Sequence, residues 1–240
     1  MDQLVHSDMT DGRSRTQAFM TRAVAAPARA SRRSTGWTQD PEGVRRNIIE
    51  AARTEFVENG LSGARVDEIA ARTATSKRMI YYYFGDKEGL YRAVLEEMYE
   101  RIRSVERDLE LASLPPEEAM ARLTAFTFDY HAGNPDFVRL VMVENIHHAR
   151  HLETSDKIAN LNLSVLDAIR DIYDRGIAEG RFRPGLEPLD IHLTISALSF
   201  YNVSNRASVH QVFGQDMGAE PLLARRRTLA VEAVLRLLKA

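Results

Sequence analysis

Residues 65–87 read RVDEIAARTATSKRMIYYYFGDK and carry more usable chemistry than the rest of the chain. Ser76 is a good helix cap, Lys77 and Arg78 follow it directly, and Tyr81 and Tyr82 come one turn later. Cations at the front of a short helix can reach phosphate oxygens or a guanine edge, and phenolic hydroxyls can donate to phosphate. Arg65, at the entrance of the preceding helical pattern, suits the same contact. Lys87 opens the following pattern, where the helix dipole reinforces a phosphate contact. This is the chemistry of a helix that enters the major groove of double-stranded DNA. The 3.6-residue period divides the aromatic run. Ile80 and Phe84, four apart, belong to a core; Tyr81 and Tyr82 belong to the reading face; Tyr83 is open between the two.

A second cluster is ENIHHARH at 144–151. On a helix, Glu144, His147 and His151 fall at i, i+3 and i+7, and that donor set could hold zinc or iron. No second such pair exists elsewhere, as a di-iron bundle requires. Histidines near a helix C-terminus are also favoured by the dipole, so no metal is assigned. No nucleophile–base–acid set or phosphate loop supports an enzyme, and no cofactor is expected.

The elements that must position these residues are helical throughout. Val44, Ile48, Ala52 and Phe56 repeat every four residues, and Asn59-Gly60 closes that first helix. Val66, Ile69 and Ala70 mark a second, and the third starts after Ser76. Asp86 caps a fourth helix that runs to about Leu111, before Pro115-Pro116. Helical patterns then cover 120–131, 136–151, 156–179, 190–213 and 222–238. No run alternates with period two, so the fold class is all-α.

The 240 residues are 44% hydrophobic and 28% charged, which is ordinary for a globular chain. With no cysteine there is neither disulfide nor thiolate metal site. No apolar run is long enough to span a bilayer, and the first 40 residues lack the apolar core of a secretory signal, so a cytoplasmic protein is expected. Six arginines and no acid lie between Gly12 and Gln39, although the net charge is only −2. Residues 1–40 therefore read as a disordered, solvated basic arm, with an arm along DNA phosphates or a minor groove as the sharper alternative. Residues 41–103 form the DNA-binding head, with the helix-turn-helix at about 65–84, and 104–240 form a helical body.

The segment from Val44 to about Arg103 resembles the DNA-binding domain of the TetR/AcrR family of bacterial transcriptional regulators. The resemblance rests on Ile48, Ala52, Phe56 and Gly60; on Val66, Ile69 and Ala70; on Ser76, Lys77, Ile80, Tyr81, Tyr83 and Phe84; and on Asp86, Lys87 and Leu90. The chain departs from the pattern at Ala74, where the family usually has Gly, and at Arg65, where a capping Thr or Ser is common. If residue 74 has positive φ, Ala costs roughly 1 kcal/mol there.

The resemblance implies a homodimer on a palindromic operator, and a C-terminal body that binds a small-molecule effector. It implies a repressor released by that effector, with an activator or a ligand-independent DNA-binding protein as the alternative. The body is loosely similar to the subgroup with regulators of pyrimidine and nicotinate breakdown. The pocket is expected among the middle helices, with Phe126, Tyr130, Met142, Asn145, His148 and Tyr201 as candidates, each also readable as core. The patterns at 190–213 and 222–238 are apolar on more than one side, which suits a dimer bundle or, alternatively, the monomer core.

Overall fold

The computed structural model describes residues 40–239. The basic arm expected ahead of Pro41 lies outside the described residues. Ten α-helices follow: α1 Pro41–Gly63, α2 Val66–Thr73, α3 Lys77–Phe84, α4 Lys87–Arg107, α5 Pro116–Gly133, α6 Pro135–Ile146, α7 Asp156–Ala178, α8 Pro188–Ser204, α9 Arg206–Phe213 and α10 Glu220–Leu238. Among the described residues the one β pairing is an isolated bridge between Phe182 and Lys239.

Capping explains where the first helices begin and end. The Asp40 side chain accepts from the Gly43 amide at 2.9 Å, with Pro41 at the first helical position. Regular α1 geometry breaks at Gly60, whose φ is +65°. Asp86 accepts from the Gly89 amide at 2.7 Å and starts α4. Around these starts α1, α2, α3 and α4 pack on one core. Ile48, Ala52, Phe56, Ile69, Ile80, Leu90 and Tyr91 are fully inaccessible there. Phe56 meets Tyr91 edge to face at 5.0 Å, an arrangement worth about 0.5–1.5 kcal/mol beyond burial.

Three expected helix ends fall elsewhere. The fourth helix stops at Arg107 rather than near Leu111, because Glu110 turns left-handed (φ 50°) and a 3-10 turn, Leu111–Ser113, follows. Arg175 of α7 pins that turn by donating to the carbonyls of Leu114 at 2.7 Å and Leu111 at 3.2 Å. The pattern over 136–151 breaks at Ile146. The buried Glu144 carboxylate accepts from the His151 amide at 3.2 Å and its Nδ1 at 2.9 Å, and His148 and Ala149 have positive φ. The pattern over 190–213 splits at Asn205, whose side chain donates to Ser204 at 2.8 Å. Two periodic stretches abutting at a short break look continuous in the sequence.

The body has its own core, which includes Met120, Leu123, Ile169, Ile191 and Val234 from α5, α7, α8 and α10. Gly176 is required at the end of α7, because any Cβ there would overlap the ring of Phe182. α10 is tied to α5 by Arg227, which donates to both carboxylate oxygens of Asp129 at 2.7 and 2.9 Å.

Candidate nucleic-acid interface and effector cavity

The helix-turn-helix is built from α2, a three-residue turn and α3. Arg65 caps α2 without a side-chain hydrogen bond, as its departure from Ser or Thr predicts. The backbone amide of this N-cap residue is instead held from a distance. Glu55 of α1, only 3% exposed, accepts from the Arg65 amide at 3.1 Å and from the Asn59 side chain at 3.1 Å. Its second oxygen pairs with Arg72 at 3.3 Å. A carboxylate beside the N-terminus of a helix is also favoured by the dipole. At the other end of α2, Ala74 has φ 51° and ψ 28°, the left-handed conformation that Gly adopts at no cost.

Ser76 accepts from the Met79 amide at 3.2 Å and caps α3. Ile80 points inward with no exposure, burial worth about 1.5–3 kcal/mol. On the opposite face Lys77 and Arg78 are exposed, as are Tyr81 (39%) and Tyr82 (78%). These four lie on one eight-residue helix capped by Ser76, the grouping read from the sequence. Tyr83 is half-buried and packs on the core beside Phe84. Phe84 is itself only half-buried, with the Arg45 guanidinium 5.4 Å above its ring, so it is a flank of the core and not its centre.

The basic candidates are not equivalent. Arg65 lies in the open, 3.6 Å from Glu68. Lys77 Nζ is 3.0 Å from Asp67, and that hydrogen bond, with the charge behind it, holds its pKa above the usual lysine value. Asp67 therefore competes with any phosphate for Lys77. Lys87 is engaged within the chain, where its Nζ donates to the carbonyls of Ala64 at 3.2 Å and Ser62 at 3.4 Å. It closes the end of α1, so a phosphate contact there must compete with two carbonyls.

The body contains a cavity of about 500 Å³ among α4, α5, α6, α7 and α8. Of the six sequence candidates only Asn145 lines it. Met142 packs on the head-side core, and Phe126 and Tyr130 lie against each other at 5.8 Å. Tyr130 faces a smaller pocket near Asn134 and Asp136. His148 is exposed on the turn after α6, and Tyr201 is 51% exposed on the outer side of α8. Helical period alone cannot say which apolar face meets a cavity and which meets a neighbour.

The polar groups that do line the cavity come mostly from residues not singled out by sequence: Arg103, Thr127, His131, Asn162, His192 and Ser196. Arg103 is 6% exposed and pairs with the buried Glu106. Burial raises the Glu106 pKa, and the Arg103 charge opposes that rise. His131 is 5% exposed, stacked on Phe137 at 5.8 Å and edge-on to Phe200 at 5.9 Å. Burial first, then the charge of Arg103, pushes its pKa down to about 4, so it is neutral near pH 7. His192 is lowered for the same reasons. Arg103 sits in the charged stretch 100–107, so nothing in the sequence distinguishes it from a solvated face.

The donor set at 144–151 does not come together as a metal site. α6 ends before His147, which is exposed, while Glu144 and His151 are bonded to each other and His151 packs edge-on to Tyr91 of α4 at 5.1 Å. Among the described residues no group of His, Asp and Glu has a metal-holding arrangement. No helix among them is long and apolar enough to cross a membrane.

Residues 48–94 match the family described as bacterial regulatory proteins, tetR family, and residues 116–234 match the tetracyclin repressor-like C-terminal domain. The chain is 33% identical over 198 residues to the HTH-type transcriptional repressor NicS of Pseudomonas putida, covering 82% of this chain and 93% of NicS. It is 33% identical over 147 residues to the HTH-type transcriptional repressor SCO4008 of Streptomyces coelicolor, covering 58% and 69%. The crystal structure of the transcriptional regulator SCO4942 from Streptomyces coelicolor superposes with a TM-score of 0.58 at 28% identity, over 81% of this chain and 98% of that one. With the α2–α3 geometry and a regulatory body behind it, the chain belongs to the TetR family of DNA-binding transcriptional regulators and is not an enzyme.

Proposed function

We propose that the protein is a cytoplasmic, homodimeric repressor that holds a palindromic operator through α3 and releases it when a small molecule fills the body cavity. One observation carries the reading face: Arg78, Tyr81 and Tyr82 are exposed on a capped helix whose opposite side, Ile80, is completely buried. Arg65, Ser76 and Lys77 flank that face, and Lys87 joins it only if it leaves its carbonyls. The sign of regulation follows the two relatives named as repressors. Exposed Leu189, Leu193 and Tyr201 on α8 and Leu229 on α10 suit the dimer contact, since burying them on a second copy removes apolar area from water.

The effector works only through different affinity for the DNA-bound and DNA-free forms. α4 links the two regions: Tyr91 near its start is in the head core, and Tyr99 and Arg103 near its end line the cavity.

The test is fluorescence anisotropy on duplexes selected from a random pool, at several salt concentrations. Tyr82→Ala and Arg78→Ala should each weaken the selected duplex by about 10- to 100-fold, corresponding to about 1–3 kcal/mol. Lys77→Ala should lower the salt dependence by about one phosphate contact. Unchanged binding by all three variants would remove α3 as the reading helix.

A further inference from the structure

We infer that the body cavity takes a small organic acid, with its carboxylate against Arg103 and its apolar part among the helices. The inference rests on reading this cavity as the effector site. Arg103 lines the cavity together with neutral His131 and His192, and no Asp or Glu does. A cationic ligand would meet an arginine with no acid to receive it.

The unused hydrogen-bonding capacity is on the donor side. A guanidinium has five N–H groups in a fixed fork. Glu106 takes Nη1 of Arg103; Asn162 Oδ1 lies 3.5 Å from Nη2, which is long; and Nε is buried with no partner. His131 Nδ1 is also buried without a partner, on a ring that Phe137 and Phe200 hold in place; on a neutral ring it donates to a carboxylate in the Nδ1–H tautomer. Leaving such groups unsatisfied costs about 1–3 kcal/mol each, and a small rotation of either side chain toward the cavity would let a bound acceptor recover part of it. A carboxylate has two acceptor oxygens and matches a guanidinium edge.

Charge and size then narrow the class. Arg103 already shares its charge with Glu106, so a doubly charged phosphate would be poorly matched, whereas a single carboxylate needs one more edge of the fork. Apolar side chains such as Ile102, Leu123, Val165 and Ile169 form much of the wall, and a cavity of about 500 Å³ has room for a ring or a chain of several carbons.

The experiment uses the full chain without DNA. Calorimetry and thermal unfolding near neutral pH compare benzoate with benzamide, phenylacetate with phenylacetamide, and hexanoate with hexanamide. At least one acid should bind ten-fold or more tightly than its amide and raise the melting temperature. His131→Phe keeps the ring packing and should weaken acid binding by roughly 10-fold. Arg103→Gln combined with Glu106→Gln removes both buried charges together and should abolish the preference for acid over amide. Amides that match their acids, or no acid binding below about 1 mM, would overturn the inference. So would a preference that survives the double substitution. Operator release, measured separately, keeps the two readings apart: acid binding without release sinks the repressor mechanism alone, and release by an uncharged compound sinks the carboxylate alone.

Discussion

Glu55 is the residue on which the reading head is expected to depend most, and two substitutions separate its roles. Its Oε1 accepts from the Arg65 amide at 3.1 Å, the N-cap amide ahead of α2, and its Oε2 pairs with Arg72 at 3.3 Å. Glu55→Ala leaves a partly buried amide without an acceptor, a loss of about 1–3 kcal/mol. It also removes the Arg72 attraction, which is small because that side chain is 41% exposed and water screens it. The sum is about 1–4 kcal/mol, or a fall in Tm of about 2–16 °C for a chain of this size. Glu55→Gln keeps a carbonyl oxygen for the Arg65 amide and loses only the charge, so it should cost about 1 kcal/mol or less. Urea unfolding reads the stability, and anisotropy on the selected operator reads α3, which α2 positions. The Ala variant should lose operator affinity at temperatures where the Gln variant retains it. Equal costs for Ala and Gln would move the role to the ion pair with Arg72. A cost below about 0.5 kcal/mol for both would refute the long-range cap altogether.

Ala74→Gly should relieve the left-handed strain at φ 51° and raise stability by about 0.5–1 kcal/mol after the extra freedom of the unfolded chain is subtracted, read as a higher urea midpoint. His131 is pushed down from 6.5 to about 4, so below pH 6.5 the unfolded chain takes up the proton first. The corresponding stability is present in full above pH 6.5 and is lost as pH falls toward about 4, by at most about 3 kcal/mol; His131→Phe should flatten that part of the pH profile. Gly176→Ala forces a Cβ into the Phe182 ring and should cost about 1–3 kcal/mol in thermal unfolding while leaving the head's contacts in place. Asp67→Asn removes the carboxylate 3.0 Å from Lys77 that competes with phosphate and should tighten operator binding, read by anisotropy, while Lys77→Ala in the same background should cancel the gain.

Local physics made the head legible in the residues themselves. The four-residue repeat from Val44 to Phe56, the break at Gly60, the Ser76 cap and the period that separates Ile80 from Tyr81 and Tyr82 all act within one or two turns of chain. The cost at Ala74 comes from the family resemblance, in which Gly usually stands there, and is conditional on a positive φ that the turn then shows. What the tertiary structure decided depends on residues distant in the chain. Glu55 reaches the Arg65 amide ten positions away, Asp67 takes Lys77, and Lys87 closes the end of α1 across more than twenty residues. The cavity draws its lining from five helices, so Arg103, His131 and His192 meet only after those helices pack, and five of the six residues expected among the middle helices lie elsewhere. Period shows that a side of a helix is apolar. Whether that side faces a neighbour, a cavity or a second copy is set by packing, which has no signature in a single stretch of chain.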